Sequence, residues 1–286
     1  MIADKDTNTI YFSERVKSDK RFTNTFNQIF SVLTSFLITP KLLPATKDIW
    51  VRDFMPVQIS DNKFIEYRYD PDYLQGDTYD KETREVKTYP DIVCDSIGLK
   101  TAKCDIILDG GNVVKSEKTI ILTDKVVLEN KRNYSKKQLI KKLHEVFEVD
   151  KVVLIPRDED CDYGHADGML RFINPSTVLI SGFYETADVE LKEMILDSLR
   201  KAKIEWEWLR TAKKETEDSI AYINFLQTKD IILIPKLERP EDNVALEQIS
   251  KYYADYSRNG RIAQVDMREI VRFDGALNCI TWTTKE

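Results

Sequence analysis

Two hydrophobic periodicities alternate along this chain. Residues 119–122, 177–180 and 230–234 are short, nearly continuous apolar runs rich in Ile, Val and Leu, the pattern of buried strands. Each is followed by a stretch whose apolar residues recur at spacings of three and four. These are Leu139, Ile140, Leu143, Val146 and Phe147, then Leu191, Met194, Ile195 and Leu199, then Leu246, Ile249, Tyr252, Tyr253 and Tyr256. That spacing gathers them on one helix face, predicting helices over 136–147, 189–202 and 240–256. Each helix leads to a further strand, at 152–155, 204–208 and 261–265. The N-terminal part reads alike: a strand at 9–12, a helix carrying Phe22, Phe26, Ile29, Phe30, Leu33 and Leu37, and a strand at 48–51. Residues 62–107 form the least regular copy.

Strand–helix–strand units thus recur about every 50–60 residues, a period typical of repeat architectures. The 286 residues hold five such units in one domain spanning 1–286. Units that cannot cover both strand faces alone close around a common axis, which gives a five-bladed α/β propeller. An open α/β sheet fits the periodicity equally well. The placement of polar residues adds to the picture. Asp109 lies 56 residues after Asp53, His165 another 56 on, Tyr222 and Asn224 follow by 57 and 59, and Cys279 lies 57 beyond Tyr222. In a closed ring such equivalent positions converge on the axis.

Composition narrows the function. At 42% hydrophobic and 32% charged residues, the chain can bury a core and remain soluble. A net charge of −6 disfavours nucleic acid as a partner and suits a cationic ligand. The first residues lack the basic and apolar regions of a signal peptide, and the longest apolar stretch, 29–38, is too short to span a bilayer. A cytoplasmic location with no membrane partner is expected. Four cysteines without a C-x-x-C pair suggest a reducing compartment, and two histidines limit histidine chemistry. Nothing in the sequence specifies an oligomer.

Four segments carry candidate chemistry, and each has a plainer reading. Trp50-Val-Arg52-Asp53 at a strand end is either a surface ion pair or a carboxylate aimed at the axis; adjacent strand residues face opposite ways, so only one of Arg52 and Asp53 would point inward. Asp109-Gly-Gly-Asn112 is either a turn or a close backbone approach to a ligand. His165 and Asp167, two apart, share one face if the segment is extended, which suits acid–base work; a structural pair, or a metal site with Cys161, are the alternatives. Cys279, on a short β-branched strand, is either buried filler or a nucleophile.

Together these segments resemble the agmatine deiminase and bacterial peptidylarginine deiminase family of the guanidine-modifying (pentein) superfamily. The family pattern runs Trp-x-Arg-Asp-x-Gly-Pro, acidic-Gly-Gly, Gly-His-x-Asp with Arg-Phe, Tyr-x-Asn-Phe, and a Gly-rich His-Cys-x-Thr. Here it stands as Trp50 to Pro56, Asp109-Gly-Gly-Asn112, Gly164-His165-Ala-Asp167 with Arg171-Phe172, Tyr222-Ile-Asn224-Phe225, and Gly275 to Thr281, in the same order along nearly the whole chain. Met55, Asp109 and Asn278 depart from the family's Gly, Glu and His. The resemblance implies a five-bladed propeller that hydrolyses a guanidino group, agmatine first and free or peptidyl arginine or another guanidine otherwise. It implies Cys279 as nucleophile, His165 as acid–base, Asp53 and Asp167 as guanidinium holders, and no metal or organic cofactor. Trp50, Asp109 and Asn224 are candidates to contact the substrate's tail. An inactive propeller that binds a ligand is the reading from another class.

Overall fold

Each apolar run becomes the middle strand of a separate three-stranded sheet. The computed structural model describes residues 1–75, 85–186, 188–213 and 215–286, so the irregular copy at 62–107 lies partly outside the described residues. In chain order, β1 (Thr9–Ser13) and β2 (Lys41–Leu43) open the first sheet. The second sheet is β3 (Val57–Ser60), β4 (Lys63–Arg68) and β5 (Ala102–Ile107), and the third is β6 (Val114–Lys115), β7 (Thr119–Thr123) and β8 (Lys151–Ile155). The fourth is β9 (Leu170–Asn174), β10 (Thr177–Ser181) and β11 (Glu205–Leu209), and the fifth β12 (Leu226–Gln227), β13 (Ile232–Lys236) and β14 (Ile262–Asp266). The last strand, β15 (Trp282–Thr284), returns to complete the first sheet in the order β15-β1-β2.

One wiring scheme repeats. The middle strand pairs antiparallel with one neighbour and parallel with the strand that follows a crossover, as in β6-β7-β8 and β9-β10-β11. A parallel neighbour requires such a crossover, here a helix whose apolar face covers the sheet. The helices at Thr23–Ser35, Lys136–Phe147, Val189–Ala202 and Glu241–Tyr252 fill this role. Their starts are written locally. Ser135 and Gln138 form a reciprocal capping box, and Asp188 accepts from the backbone of Glu190 and Leu191. Every residue of β7 is buried, because both of its faces are covered. These five small sheets are the propeller that the periodicity left open against a single sheet.

Two expectations need correction, and the strand–helix–strand unit is incomplete. The return strand of the first unit is β2, not residues 48–51. The Asp48 carboxylate accepts from Trp50 N at 2.8 Å and from Thr88 Oγ1 at 2.9 Å, and the chain turns there instead of extending. The helix at 240–256 is two helices, Glu241–Tyr252 and Ala254–Arg258, broken at Tyr253, whose ψ is 52°. The antiparallel outer strands β3, β6, β9 and β12 were not foreseen; at two to five residues, they are too short for a period to register. Among the described residues, no helix is long and apolar enough to cross a membrane.

Candidate active site

The segments that lead from one sheet to the next are where the polar residues gather. Asp53 lies between β2 and β3, Asp109 to Gly111 between β5 and β6, His165 and Asp167 between β8 and β9, Asn224 between β11 and β12, and Cys279 between β14 and β15. None of these segments is a strand. Val51–Phe54 is one helical turn, so the strand alternation expected to turn Arg52 and Asp53 to opposite faces does not apply, and both are buried. His165 precedes the 3-10 turn Ala166–Gly168, so it is that turn, not an extended strand, that sets His165 beside Asp167. Cys279 sits in a turn ahead of β15, where Thr281 Oγ1 donates to the carbonyl oxygens of Leu277 and Asn278.

Gly110-Gly111 explains how these turns come so close. A Cβ on Gly110 would stand 2.0 Å from the Arg52 carbonyl oxygen. One on Gly111 would stand 2.6 Å from Asp53 Oδ1, 2.8 Å from His165 Nδ1 and 3.4 Å from Asp167 Oδ1. Gly111 N–H donates to Asp53 Oδ1 at 3.0 Å. Asn112 ties the neighbouring parts together: its Oδ1 accepts from Thr123 N, Thr123 Oγ1 and Ala166 N. The close backbone approach is therefore present, and it serves the side chains of the site itself.

His165 lies between two carboxylates. Its Nε2 is 2.9 Å from Asp109 Oδ2, and its Nδ1 is 3.6 Å from Asp53 Oδ1. Burial alone would lower the imidazole's proton affinity; the Asp53 charge, then the hydrogen bond and charge of Asp109, outweigh it and push the pKa up to about 9. Burial lifts Asp53 to about 7, against the His165 charge and with help from Asp109 and Asp167. For Asp109, burial works upward but His165 and Lys125 prevail, holding its carboxyl below the usual range. The Cys279 thiol is pushed well above its ordinary value by burial, then by Asp167 and Asp53. Burial and the two carboxylates thus favour the thiol over the thiolate.

The loop that carries Cys279 is held from three sides. Arg52 N donates to the Cys279 carbonyl at 3.1 Å and Arg52 Nε to the Asn278 carbonyl at 3.2 Å. Asn224 Oδ1 accepts from Cys279 N at 3.2 Å, while its amide lies 3.4 Å from the Asp167 carbonyl. Asn278 Nδ2 donates to Asp167 Oδ2 at 2.6 Å, and Cys279 Sγ is 3.9 Å from the same oxygen. Trp50 packs closely on Gly275, where a Cβ would stand 2.2 Å from its ring.

Two of the residues expected at the substrate's tail have side chains engaged within the protein. The Asp109 side chain is fully enclosed, with Oδ2 shared by Lys125 and His165. Asn224 spends its amide on Cys279 and Asp167. Both brace the site from behind. Tyr222 is buried, its hydroxyl donating to Asp242 at 2.8 Å, and takes no part. Arg171 is engaged elsewhere, meeting Asp4 Oδ2 at 2.9 Å and the Phe225 carbonyl at 2.8 Å. Cys161 is exposed, and among the described residues no group of three His, Cys, Asp or Glu side chains gathers in a metal-holding arrangement. Sequence reasoning missed the rings of Tyr73 and Tyr163, each 6.2 Å from the His165 ring, and the buried Lys125. Tyr163 stands two residues before His165, within reach of a local reading; Tyr73 and Lys125 carry no local pattern, because only the closed ring brings them to His165.

The chain is similar to known proteins in sequence and in shape. The model of the family described as Porphyromonas-type peptidyl-arginine deiminase matches residues 2–284. A candidate agmatine deiminase of Latilactobacillus sakei is 23% identical, covering 83% of this chain and 75% of its own. One from Vibrio parahaemolyticus is 24% identical, covering 82% and 74%. Among solved structures, C. jejuni agmatine deiminase superposes with a TM-score of 0.76 at 18% identity, covering 100% of this chain and 95% of its own. The agmatine deiminase of Enterococcus faecalis gives 0.74 at 18%, covering 99% and 94%. Pseudomonas aeruginosa DDAH gives 0.55 at 12%, covering 97% and 99%. At these identities, the superpositions establish the five-bladed fold.

Proposed function

This chain belongs to the Porphyromonas-type peptidyl-arginine deiminase family, and from that premise we propose that it hydrolyses the guanidino group of agmatine to N-carbamoylputrescine and ammonia. The observation that carries this reading is the meeting of Cys279, Asp167, Asp53 and His165 at the axis, delivered by three inter-sheet linkers. A guanidinium is planar and cationic, and carboxylates on two sides can hold its N–H groups in fork geometry. Asp53 and Asp167 fill that role. A guanidinium bound beside Cys279 also offsets the Asp167 and Asp53 charges, favouring the thiolate.

The reaction then has two balanced halves. Cys279 Sγ bonds to the central carbon, one C–N bond breaks, and the thiol proton leaves with the departing nitrogen as ammonia, giving a cationic thiouronium. Water next adds to that carbon, the C–S bond breaks, and the thiol, a neutral ureido product and a proton are left. His165 serves both halves, as acid toward the leaving nitrogen and as base toward water. Asp109 anchors Nε2, which leaves Nδ1 on the side of Asp53 and Gly111 as the nitrogen that moves protons. Asn278 and Asn224 orient Asp167 and the Cys279 loop, and Trp50 lines the approach. The reading requires neither metal nor organic cofactor.

A second reading keeps the chemistry and changes the substrate to free arginine, peptidyl arginine or another guanidine. It is favoured by two departures from the family pattern described above: Asn278 for His, whose amide donates to Asp167 Oδ2, and Asp109 for Glu. Ammonia release from agmatine, arginine and an arginine peptide, with Cys279→Ala as control, tests both. Release from agmatine alone, abolished in Cys279→Ala, is the expected result. Release from a different guanidine selects the second reading. No release from any guanidine leaves a ligand-binding propeller.

A further inference from the structure

Lys125 stands outside the reacting cluster yet touches it from behind. Its Nζ lies 2.8 Å from Asp109 Oδ2, the same oxygen that His165 Nε2 approaches to 2.9 Å. On its other side the ammonium meets Asp72 Oδ1 at 3.2 Å and Glu129 Oε1 at 3.7 Å, and it lies 4.6 Å from the centroid of the Tyr73 ring. The lysine side chain is 2% exposed. Two cations drawn to a single carboxylate oxygen in a dry site repel each other, and each weakens the oxygen's attraction for the other. The second Asp109 oxygen is buried and accepts no hydrogen bond, so the competition cannot be relieved by splitting the two cations between oxygens.

That competition bears on a requirement of the chemistry. A histidine enclosed by Asp53 and Asp109 is easily kept as imidazolium, but an acid held too tightly does not release its proton to a leaving nitrogen. We propose, on the function given above, that Lys125 is a positioning residue for the reaction: by sharing Asp109 Oδ2, it loosens that carboxylate's grip on the His165 imidazolium, so the histidine can give up a proton in one half-reaction and recover one in the other. The groups around His165 are Asp53 from the Val51–Phe54 turn, Asp109 ahead of Gly110–Asn112, Asp167 from its own turn, Tyr163 ahead of it, Tyr73 and Asp72 from Asp72–Leu74, Lys125 and Glu129 from Lys125–Asn130, and Cys279. Of the groups that act most strongly on His165, Lys125 is the one that opposes the carboxylates. Asp72, with a side chain 55% exposed, adjusts this balance from the solvent side by drawing on the same ammonium.

The test is nitrogen NMR titration of the two histidines in the substrate-free protein, with His144 as internal reference. Because it needs no turnover, its outcome is independent of which guanidine, if any, is hydrolysed. In Lys125→Met, His165 should titrate about one unit higher, the scale of removing one close charge, while His144 stays put. Where turnover is measured, kcat at neutral pH should fall roughly tenfold with the optimum moved to higher pH and KM little changed, as expected for impaired proton transfer. In Asp72→Asn, which removes a part-exposed carboxylate, His165 should titrate lower. A folded Lys125→Met whose His165 titrates as in the parent, or lower, overturns the proposal. Should Lys125→Met not fold, an unmoved or raised His165 in Asp72→Asn overturns it instead.

Discussion

Gly111 occupies a point that the carboxylates of Asp53 and Asp167 and the imidazole of His165 all approach within a methyl group's reach. Alanine there would press on Asp53 Oδ1 and His165 Nδ1 at 2.6 and 2.8 Å, and neither side chain has room to retreat, since Asp53 is also held by Gly111 N–H and His165 by Asp109. Gly111→Ala should therefore lower kcat by roughly 10²-fold or more, the cost of an ångström-scale misplacement in an active site, with a circular dichroism spectrum like the parent's. Wild-type turnover would mean that the site is looser than these distances imply. Much of this cluster is legible in the sequence. Asp53, the pair His165 and Asp167, and Cys279 stand at equivalent points of different units and in a recognisable order. Lys125 is not legible. In Thr-Asp-Lys-Val it reads as an ordinary charged residue at a helix start, and its burial against Asp109 follows only from the packing of the third sheet beside the linker that precedes it.

At the scale of elements, the apolar periods specify the middle strands and crossover helices, because those elements bury whole faces. The linkers that deliver the chemistry carry no period. Their shapes come from single hydrogen bonds, such as Asp48 to Trp50 N or Asn112 to Thr123 N, and a reader of hydrophobicity draws them as strands. Helix starts are different, since their signals are local. The capping box of Ser135 and Gln138 opens the helix Lys136–Phe147, whose Leu139, Leu143 and Phe147 are buried. Ser135→Ala should cost about 1 kcal/mol of stability, the usual worth of such a cap. The check is a urea midpoint that falls at unchanged slope, with activity per folded molecule intact. A drop in specific activity would show that this helix also sets the geometry of the site.

For the molecule as a whole, the acidic axis makes the empty protein sensitive to alkali. Folding raises the pKa of Asp48 to about 6, of Asp53 and Glu129 to about 7, and of His165 to about 9. Each group then binds its proton more tightly folded than unfolded, so stability falls as pH rises. The carboxyl contributions are complete below their ordinary values of 3.8 and 4.5 and are lost as pH climbs through about 6 to 7. That of His165 is complete below 6.5 and lost through about 9. Asp4 and Asp109 act in the opposite sense, but only below the ordinary carboxyl value. Substrate-free protein should melt at a higher temperature at pH 5 than at pH 9, and bound agmatine, a cation that favours the ionised carboxylates, should narrow the difference. A melting temperature that is flat or rising over that interval would contradict this. The ring's closure has a further consequence, for synthesis. β1 finds its antiparallel partner only in β15, with Thr9 opposite Thr284, and Tyr11 reaches Glu286 across 275 residues. At about 5–20 residues per second, a ribosome needs roughly 14–55 s to cover that distance. For that time the first sheet waits with one edge bare and the nucleophile still untranslated. The nascent chain is thus inert toward guanidines and exposed to chaperones until the final strand arrives, and completing the fold and completing the active site are a single event.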